Sequence, residues 1–374
     1  MNTSSTAADV AIIGGGLHGC SAALHLGLAG LDSIVIEKDY VGRHASGVNA
    51  GGVRRLGRHF AEIPLAMAAS EIWHRIEDWV DDTCGFTPCG QVLVAETETE
   101  MRALSERAGR LREIGFDHEE LLDGADLRRL LPAVSPHCVG ALAVRGDGYA
   151  NPFRTVRAFK AKAETLGTRF LEGTRVLGLD RRSGHWHLQT TSGPLEAPVL
   201  VNCAGAWGGE VAAMLDEPVP IAAEAPMLMI TAPMPAFVGP VVGTQGRALS
   251  FKQFENGTVL IGGGKRGEAV PGTNATNLDF HGLADSARTA TAIFPVMGEA
   301  RVVRAWAGIE GCMPDAIPVV GASGAPDAFH AFGFSAHGFQ LGPLVGSIIA
   351  ELVTKGETAL PIEPFAIERF QKAP

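Results

Sequence analysis

The chain has 374 residues, 46% hydrophobic and 19% charged, which is enough to bury a sizeable core and suggests about two domains. A formal net charge of -10 with no basic block argues against a nucleic-acid groove, because phosphate neutralisation needs clustered Lys and Arg. The polar start, Met1 to Asp9, has neither the basic segment nor the apolar stretch of a signal peptide, and no run of about 18 apolar residues follows. A soluble, cytoplasmic protein without a spanning segment is therefore expected.

Forty-seven glycines against two tyrosines point to tight turns and close backbone approaches. The six cysteines, Cys20, Cys84, Cys89, Cys138, Cys203 and Cys312, are too scattered for a disulfide framework and are read as reduced thiols. Cys84 and Cys89 have no second pair nearby to complete an iron-sulfur or zinc site, so no metal is expected.

In chain order, Asp9-Val-Ala-Ile-Ile13 reads as a buried strand, Gly14 to Gly19 as a glycine turn, and Cys20 to Ala29 as a helix ending at Gly30. Gly14 permits the tight turn, Gly16 lets the backbone approach a pyrophosphate together with Leu17 and His18, and Gly19 lets the helix pack. The next strand, Ser33-Ile-Val-Ile36, delivers Glu37 and Lys38. A carboxylate at that strand end can accept both ribose hydroxyl protons, which completes a dinucleotide-binding fingerprint. The fingerprint alone does not separate FAD from NAD.

The segment His44-Ala-Ser-Gly-Val-Asn-Ala-Gly-Gly-Val-Arg54 is too rich in glycine and small polar residues for a core element and reads as a cofactor-facing loop. Glu62 to Val80 reads as one helix, with Leu65, Ala69, Ile72, Ile76 and Trp79 forming a core stripe at spacings of three and four. Gln91 to Ala95, Met227 to Ile230 and Thr258 to Ile261 are strand-like runs separated by turn formers, from which an antiparallel sheet is expected. Near the end, Gly338 to Gly342 leads into a helix from Pro343 to Lys355, with Pro in its first turn and Gly356 past its end.

Together with Val201-Asn-Cys-Ala-Gly-Ala-Trp207 and Ser335-Ala-His-Gly-Phe-Gln-Leu-Gly342, this loop resembles the D-amino-acid oxidase family of FAD enzymes, which includes glycine oxidase, the sarcosine oxidases and dimethylglycine dehydrogenase. The resemblance covers nearly the whole chain. It implies an α/β protein: a discontinuous Rossmann-type FAD-binding domain over 1–80, 150–215 and 305–374, and an α+β substrate domain with an antiparallel sheet over 81–149 and 216–304.

It also implies that Ala45, Ser46, Asn49, Gly51 and Gly52 contact FAD, that Ala204, Gly205 and Trp207 come near its ribityl and phosphate portion, and that the backbone of Val176 meets the adenine. Gly338, Phe339, Gln340 and Leu341, leading into the last helix, would contact the cofactor, and the positive N-terminal end of that helix, pointed at the flavin ring, would favour reduced flavin.

For catalysis, the resemblance assigns the active-site histidine of the sarcosine oxidases to His337 and puts Gln340 where those enzymes have a lysine. Glycine oxidase carries an arginine for the substrate carboxylate after Trp-Ala-Gly, whereas this chain reads Trp306-Ala-Gly-Ile-Glu310. Glu310 cannot bind a carboxylate, so Arg54, Arg55 and Arg58 are the candidate anchors. Lys265 is a candidate for the base some members hold near the flavin, with a surface turn lysine as the plainer reading. Covalent FAD is not expected: the sarcosine oxidase cysteine position falls on Gly308, Cys312 is displaced by four residues, and His44, although at the other attachment position used in the family, is not read as an attachment site either.

The expected function is FAD-dependent oxidation of a small secondary or N-substituted amino acid, sarcosine-, iminodiacetate-, hydroxyproline- or opine-like, with oxygen or another electron acceptor. The alternatives are a primary D-amino-acid or glycine oxidase, and the flavin subunit of a hetero-oligomeric amino-acid or opine dehydrogenase. A homo-oligomer is also open, and a pure NAD-binding module leaves the loop and the terminal helix unexplained.

Overall fold

The computed structural model describes residues 7–370; residues 1–6, part of the start read for a leader, and residues 371–374 lie outside the described residues. Two sheets organise the chain. The first has six strands in the order Val319–Ala322, Ala328–Phe332, Val199–Asn202, Val10–Ile13, Ser33–Ile36, Arg169–Leu171. All its pairs are parallel except the first.

The apolar runs of the central strands are explained by burial on both faces. Val10, Ile12 and Val35 pack in one core with the helices Leu17–Leu28, Pro152–Thr165 and Gly338–Lys355. Ala11, Ile13, Ile34 and Ile36 point the other way, against Trp186, Leu188 and Leu195 of a three-stranded antiparallel sheet formed by Val176–Arg182, His185–Thr190 and Leu195–Ala197.

The second sheet has eleven strands, and Ala222–Thr231 is its long spine. It is mostly antiparallel, as expected, but Val241–Thr244 and Gln91–Ala95 pair in parallel. Strands Val302–Ala307 and Glu310–Cys312 both pair with the spine, so the expected boundary at residue 305 falls inside a strand of this sheet. Phe251, Phe294, Val242 and Ile293 fill its core.

Three helix readings need correction. The segment 62–80 is two helices, Ile63–Trp73 and Ile76–Val80; Arg75 leaves helical angles, and the preceding His74 places Nε2 3.0 Å from the Gly146 carbonyl. The loop after His44 contains one helical turn, Ala45–Val48. The last helix begins at Gly338, not Pro343, and the proline lies inside it.

That last helix lies close along Leu17–Leu28 because its facing positions are glycine. A Cβ on Gly342 would stand 2.4 Å from Leu17 Cδ2, and one on Gly346 would stand 2.2 Å from Ser21 Oγ. The carbonyl of Pro343 accepts from Ser21 Oγ at 3.1 Å and lies 3.2 Å from His25 Nε2.

Candidate active site

A cleft of about 580 Å³ runs from the C-terminal ends of the parallel strands to the face of the second sheet. At its dinucleotide end, Gly14 has φ 106°, and a Cβ there would meet the Cys203 carbonyl oxygen at 2.4 Å. Gly16 lines the cleft, and Leu17 N donates to Ser46 Oγ at 3.0 Å. Gly19 does not reach the cleft; its missing side chain makes room for the Gly14 carbonyl, 2.0 Å from where a Cβ would be.

Glu37 accepts from Gly15 N and Asp39 N, one bond to each carboxylate oxygen, both 2.8 Å. Burial raises its pKa, partly opposed by these two bonds. Lys38 Nζ stands 3.1 Å from the centre of the Trp207 ring and donates to Asn274 Oδ1. Burial pulls its pKa down to about 8. His44 is 4.7 Å from the same ring, with its pKa lowered to about 4, chiefly by burial. Val176, Ala204 and Gly205 line this end as well.

The glycine-rich loop is held by its own side chains. Asn49 donates to the carbonyls of Ala45 and Ser46 at 2.9 and 3.0 Å and accepts from Gly51 N at 2.6 Å. Ala45, Ser46, Asn49 and Gly52 line the cleft, whereas Gly51 turns toward the Ala150 carbonyl. Gly308 lines it too, and a Cβ there would stand 2.2 Å from Val48 Cγ2. Cys312 lies outside the lining. Cys203 lies within it, but burial holds its thiol at about 12.

The three arginines have three fates. Arg55 turns away from the cleft to Asp147, Nε to Oδ1 at 2.9 Å. Arg58 lines the cleft but is almost wholly buried: it donates from Nε to the Arg54 carbonyl, from Nη1 to the His337 carbonyl and from Nη2 to Gln340 Oε1, each at 3.0 Å. Burial and the neighbouring Arg54 lower its pKa to about 9. Arg54 lines the cleft and, among the described residues, its side chain makes one hydrogen bond, Nη1 to the Leu56 carbonyl at 2.6 Å.

Gln340 is not in the lining; it is buried and spent on Arg58 and on the Ala66 carbonyl at 2.8 Å. His337 is also outside it, with Nδ1 2.7 Å from Glu62 Oε2, close enough for an ion pair although not aligned as a hydrogen bond. Burial lowers the His337 pKa to about 4, with the Glu62 carboxylate beside it opposing the fall. Burial would raise the pKa of Glu62, but His337 and Arg58 outweigh it and the net direction is down. Sequence reading missed Glu62, although its place four residues after Arg58 is the spacing of a helical ion pair.

Lys265 is a surface residue paired with Asp285 at 3.0 Å, outside the cleft, which corrects its candidacy. The buried lysine is Lys252, whose Nζ donates to the Ala50 carbonyl beneath the loop and lies 4.8 Å from the Tyr149 ring. Burial lowers its pKa to about 7. Leu341 is buried in the helix core and does not reach the cleft, while Gly338, Phe339 and Glu310 do.

The donor set fits a dinucleotide. Helix N-termini at Leu17 and Gly338 open on one cleft, a carboxylate stands at the strand end, and His18 Nε2 is buried there without a hydrogen-bond partner. The fold and the cleft thus define a dinucleotide-dependent enzyme. The profile of the DAO family, FAD dependent oxidoreductase, matches residues 9–352, and the chain belongs to that family.

Among its relatives, glycine oxidase of Geobacillus kaustophilus is 26% identical, over 96% of this chain and 97% of that protein. Sarcosine oxidase subunit beta of Rhodobacter capsulatus is 24% identical, over 97% of this chain and 89% of that protein. The crystal structure of L-proline dehydrogenase from P. horikoshii superposes with a TM-score of 0.89 at 26% identity, covering 97% of this chain and 98% of that one. Among the described residues no helix is long and apolar enough to cross a membrane.

Proposed function

We propose that this enzyme oxidises the CH–NH group of a small secondary or N-substituted amino acid, with FAD held noncovalently and Arg54 as the carboxylate anchor. The observation that carries the reading is the continuity of one cleft from the Gly14 turn to Arg54. A relative named for glycine supports amino-acid oxidation, and those named for sarcosine and L-proline support the secondary amine. FAD, when bound, supplies the hydride acceptor for the substrate α-carbon.

The chain's own residues position and desolvate. Arg54 has guanidinium donors to spare, suited to a bidentate carboxylate. Arg58, its three nitrogens engaged, fixes the start of the helix Gly338–Lys355 instead. The start of the helix Gly338–Lys355 brings a partial positive charge to this region. Leu93, Val242, Met227 and Phe339 supply apolar walls that exclude water. Glu37 would accept the ribose hydroxyls, having lone pairs beyond the two backbone bonds.

The test is anaerobic mixing of the yellow protein with sarcosine, N-methyl amino acids, L-proline and glycine. Bleaching of the flavin absorbance by the N-substituted members is expected. Bleaching by glycine or a primary D-amino acid alone would assign the other branch. A second reading, a subunit of a larger oxidoreductase, is favoured by the edge strand Val302–Ala307, where Val302 and Val303 are 52% and 65% exposed. Oxygen turnover by the isolated chain would count against it.

A further inference from the structure

We infer that the substrate carries a second, protonated nitrogen, and that Glu310 is the residue that receives it. This inference rests on the reading of the cleft as an amine-oxidising site. Glu310 lines the cleft from the strand Glu310–Cys312, and its register partner on the spine strand is Glu224. Two carboxylates placed directly opposite each other on neighbouring strands repel.

Glu224 is relieved of that repulsion by Arg266, 2.5 Å away, and Glu310 is not. Glu310 Oε1 accepts one hydrogen bond, from Ala336 N at 2.6 Å, and among the described residues no cation forms an ion pair with it. Burial, with the Glu224 charge adding to it, raises the Glu310 pKa to about 7, while Ala336 N and the more distant Arg266 oppose the rise. A carboxylate in this state takes up a proton near neutral pH unless a counter-charge arrives, and a ligand cation in the cleft would supply that charge.

Toward the second sheet the cleft is lined by the cations Arg54, Arg58 and Arg247, the last paired with Glu96, and by the acid Glu310, with Pro226, Met227 and Ile309 adding apolar lining. That pattern suits an amino acid whose carboxylate meets Arg54, whose methylene chain crosses apolar wall, and whose distal ammonium meets Glu310. The reacting nitrogen must be neutral to give up hydride from its carbon, so the cation that Glu310 receives is a different one.

The test compares two substrates of equal length and shape, N-methyl-lysine and N-methyl-2-aminoheptanoate, the second having a methyl where the first has its ammonium. Binding is followed by equilibrium dialysis, and flavin reduction is followed separately by anaerobic stopped flow. The wild type should bind the cationic member about 30-fold more tightly or better. Glu310→Gln should abolish that preference while keeping its FAD spectrum.

Because the other charged or titratable groups around Glu310 are Glu224, Arg266 and Cys312, with Cys312 held as a thiol by burial, the wild-type preference should also fade as pH falls through about 7. This second measurement decides the matter if Glu310→Gln does not fold. Equal binding of the two compounds, or a preference unchanged in the variant and across pH, overturns the inference. If no amino acid of any kind bleaches the flavin, the amine-oxidation reading fails, and the dialysis result still decides what Glu310 binds.

Discussion

At Gly14 the structure is dictated by what a side chain would strike, the Cys203 carbonyl 2.4 Å from an added Cβ. At Arg54, some 40 positions on, it is dictated by where a side chain is free to go. The dinucleotide end of the cleft is built from backbone, the glycine turn, two helix starts and a carboxylate fixed by main-chain N–H groups. The substrate end is built from side chains drawn from separate parts of the chain. Backbone recognition writes itself into short local motifs, whereas side-chain recognition depends on which of several similar residues the fold releases.

The sharpest way to break this contrast is Arg54→Ala. If it is the released guanidinium, losing a buried charge-paired contact costs about 2 to 5 kcal/mol, so kcat/KM on a carboxylated amine should fall by about 30-fold or more with FAD still bound. Wild-type kinetics in this variant would move the anchor elsewhere. At the backbone end, Gly14→Ala adds positive-φ strain to a clash with main chain, together about 2 to 4 kcal/mol. The flavin content of the purified protein and its melting temperature should both drop.

Glu37→Ala removes the acceptor of two main-chain bonds and of the ribose, a loss of about 1 to 3 kcal/mol. It should appear as weaker FAD retention on dialysis, and unchanged retention would mean the ribose lies elsewhere.

The remaining test concerns pH. His18, His25, His44 and His337 have pKa values lowered to about 3, 4, 4 and 4 by burial, against 6.5 when exposed. Between those values the unfolded chain binds protons that the folded one does not, so stability falls as pH drops below about 6.5. Each such group contributes up to about 1.4 kcal/mol per pH unit. Urea midpoints measured from pH 7 to pH 4 should decline from 6.5 onward; a flat profile down to 5 would show that these rings are protonated in the folded state.

The strand at Val10–Ile13, the turn at Gly14 and the strand ending at Glu37 could be read directly, because hydrophobic continuity and glycine spacing are local signals. The arginines could be found as a group but not sorted: Arg54, Arg55 and Arg58 look alike until Asp147, Gln340 and the His337 carbonyl claim two of them. Lys252 was invisible for a similar reason. An inward lysine in a strand is indistinguishable from an outward one until Tyr149 and the Ala50 carbonyl are beside it. Pro343 misled because proline marks first turns more often than interiors, and here the helix had already begun at Gly338.

The packing of the helix Gly338–Lys355 onto Leu17–Leu28 sets a timetable for making this protein. Ser21 and Pro343, which share a hydrogen bond, are 322 positions apart. At translation rates of about 5 to 20 residues per second, the first helix waits about 15 to 65 s for its partner. During that interval its apolar face, with Leu17, Cys20 and Leu24, is open to aggregation or to a chaperone. Flavin loading should therefore follow synthesis of the helix Gly338–Lys355, and chains stalled before residue 338 should emerge colourless.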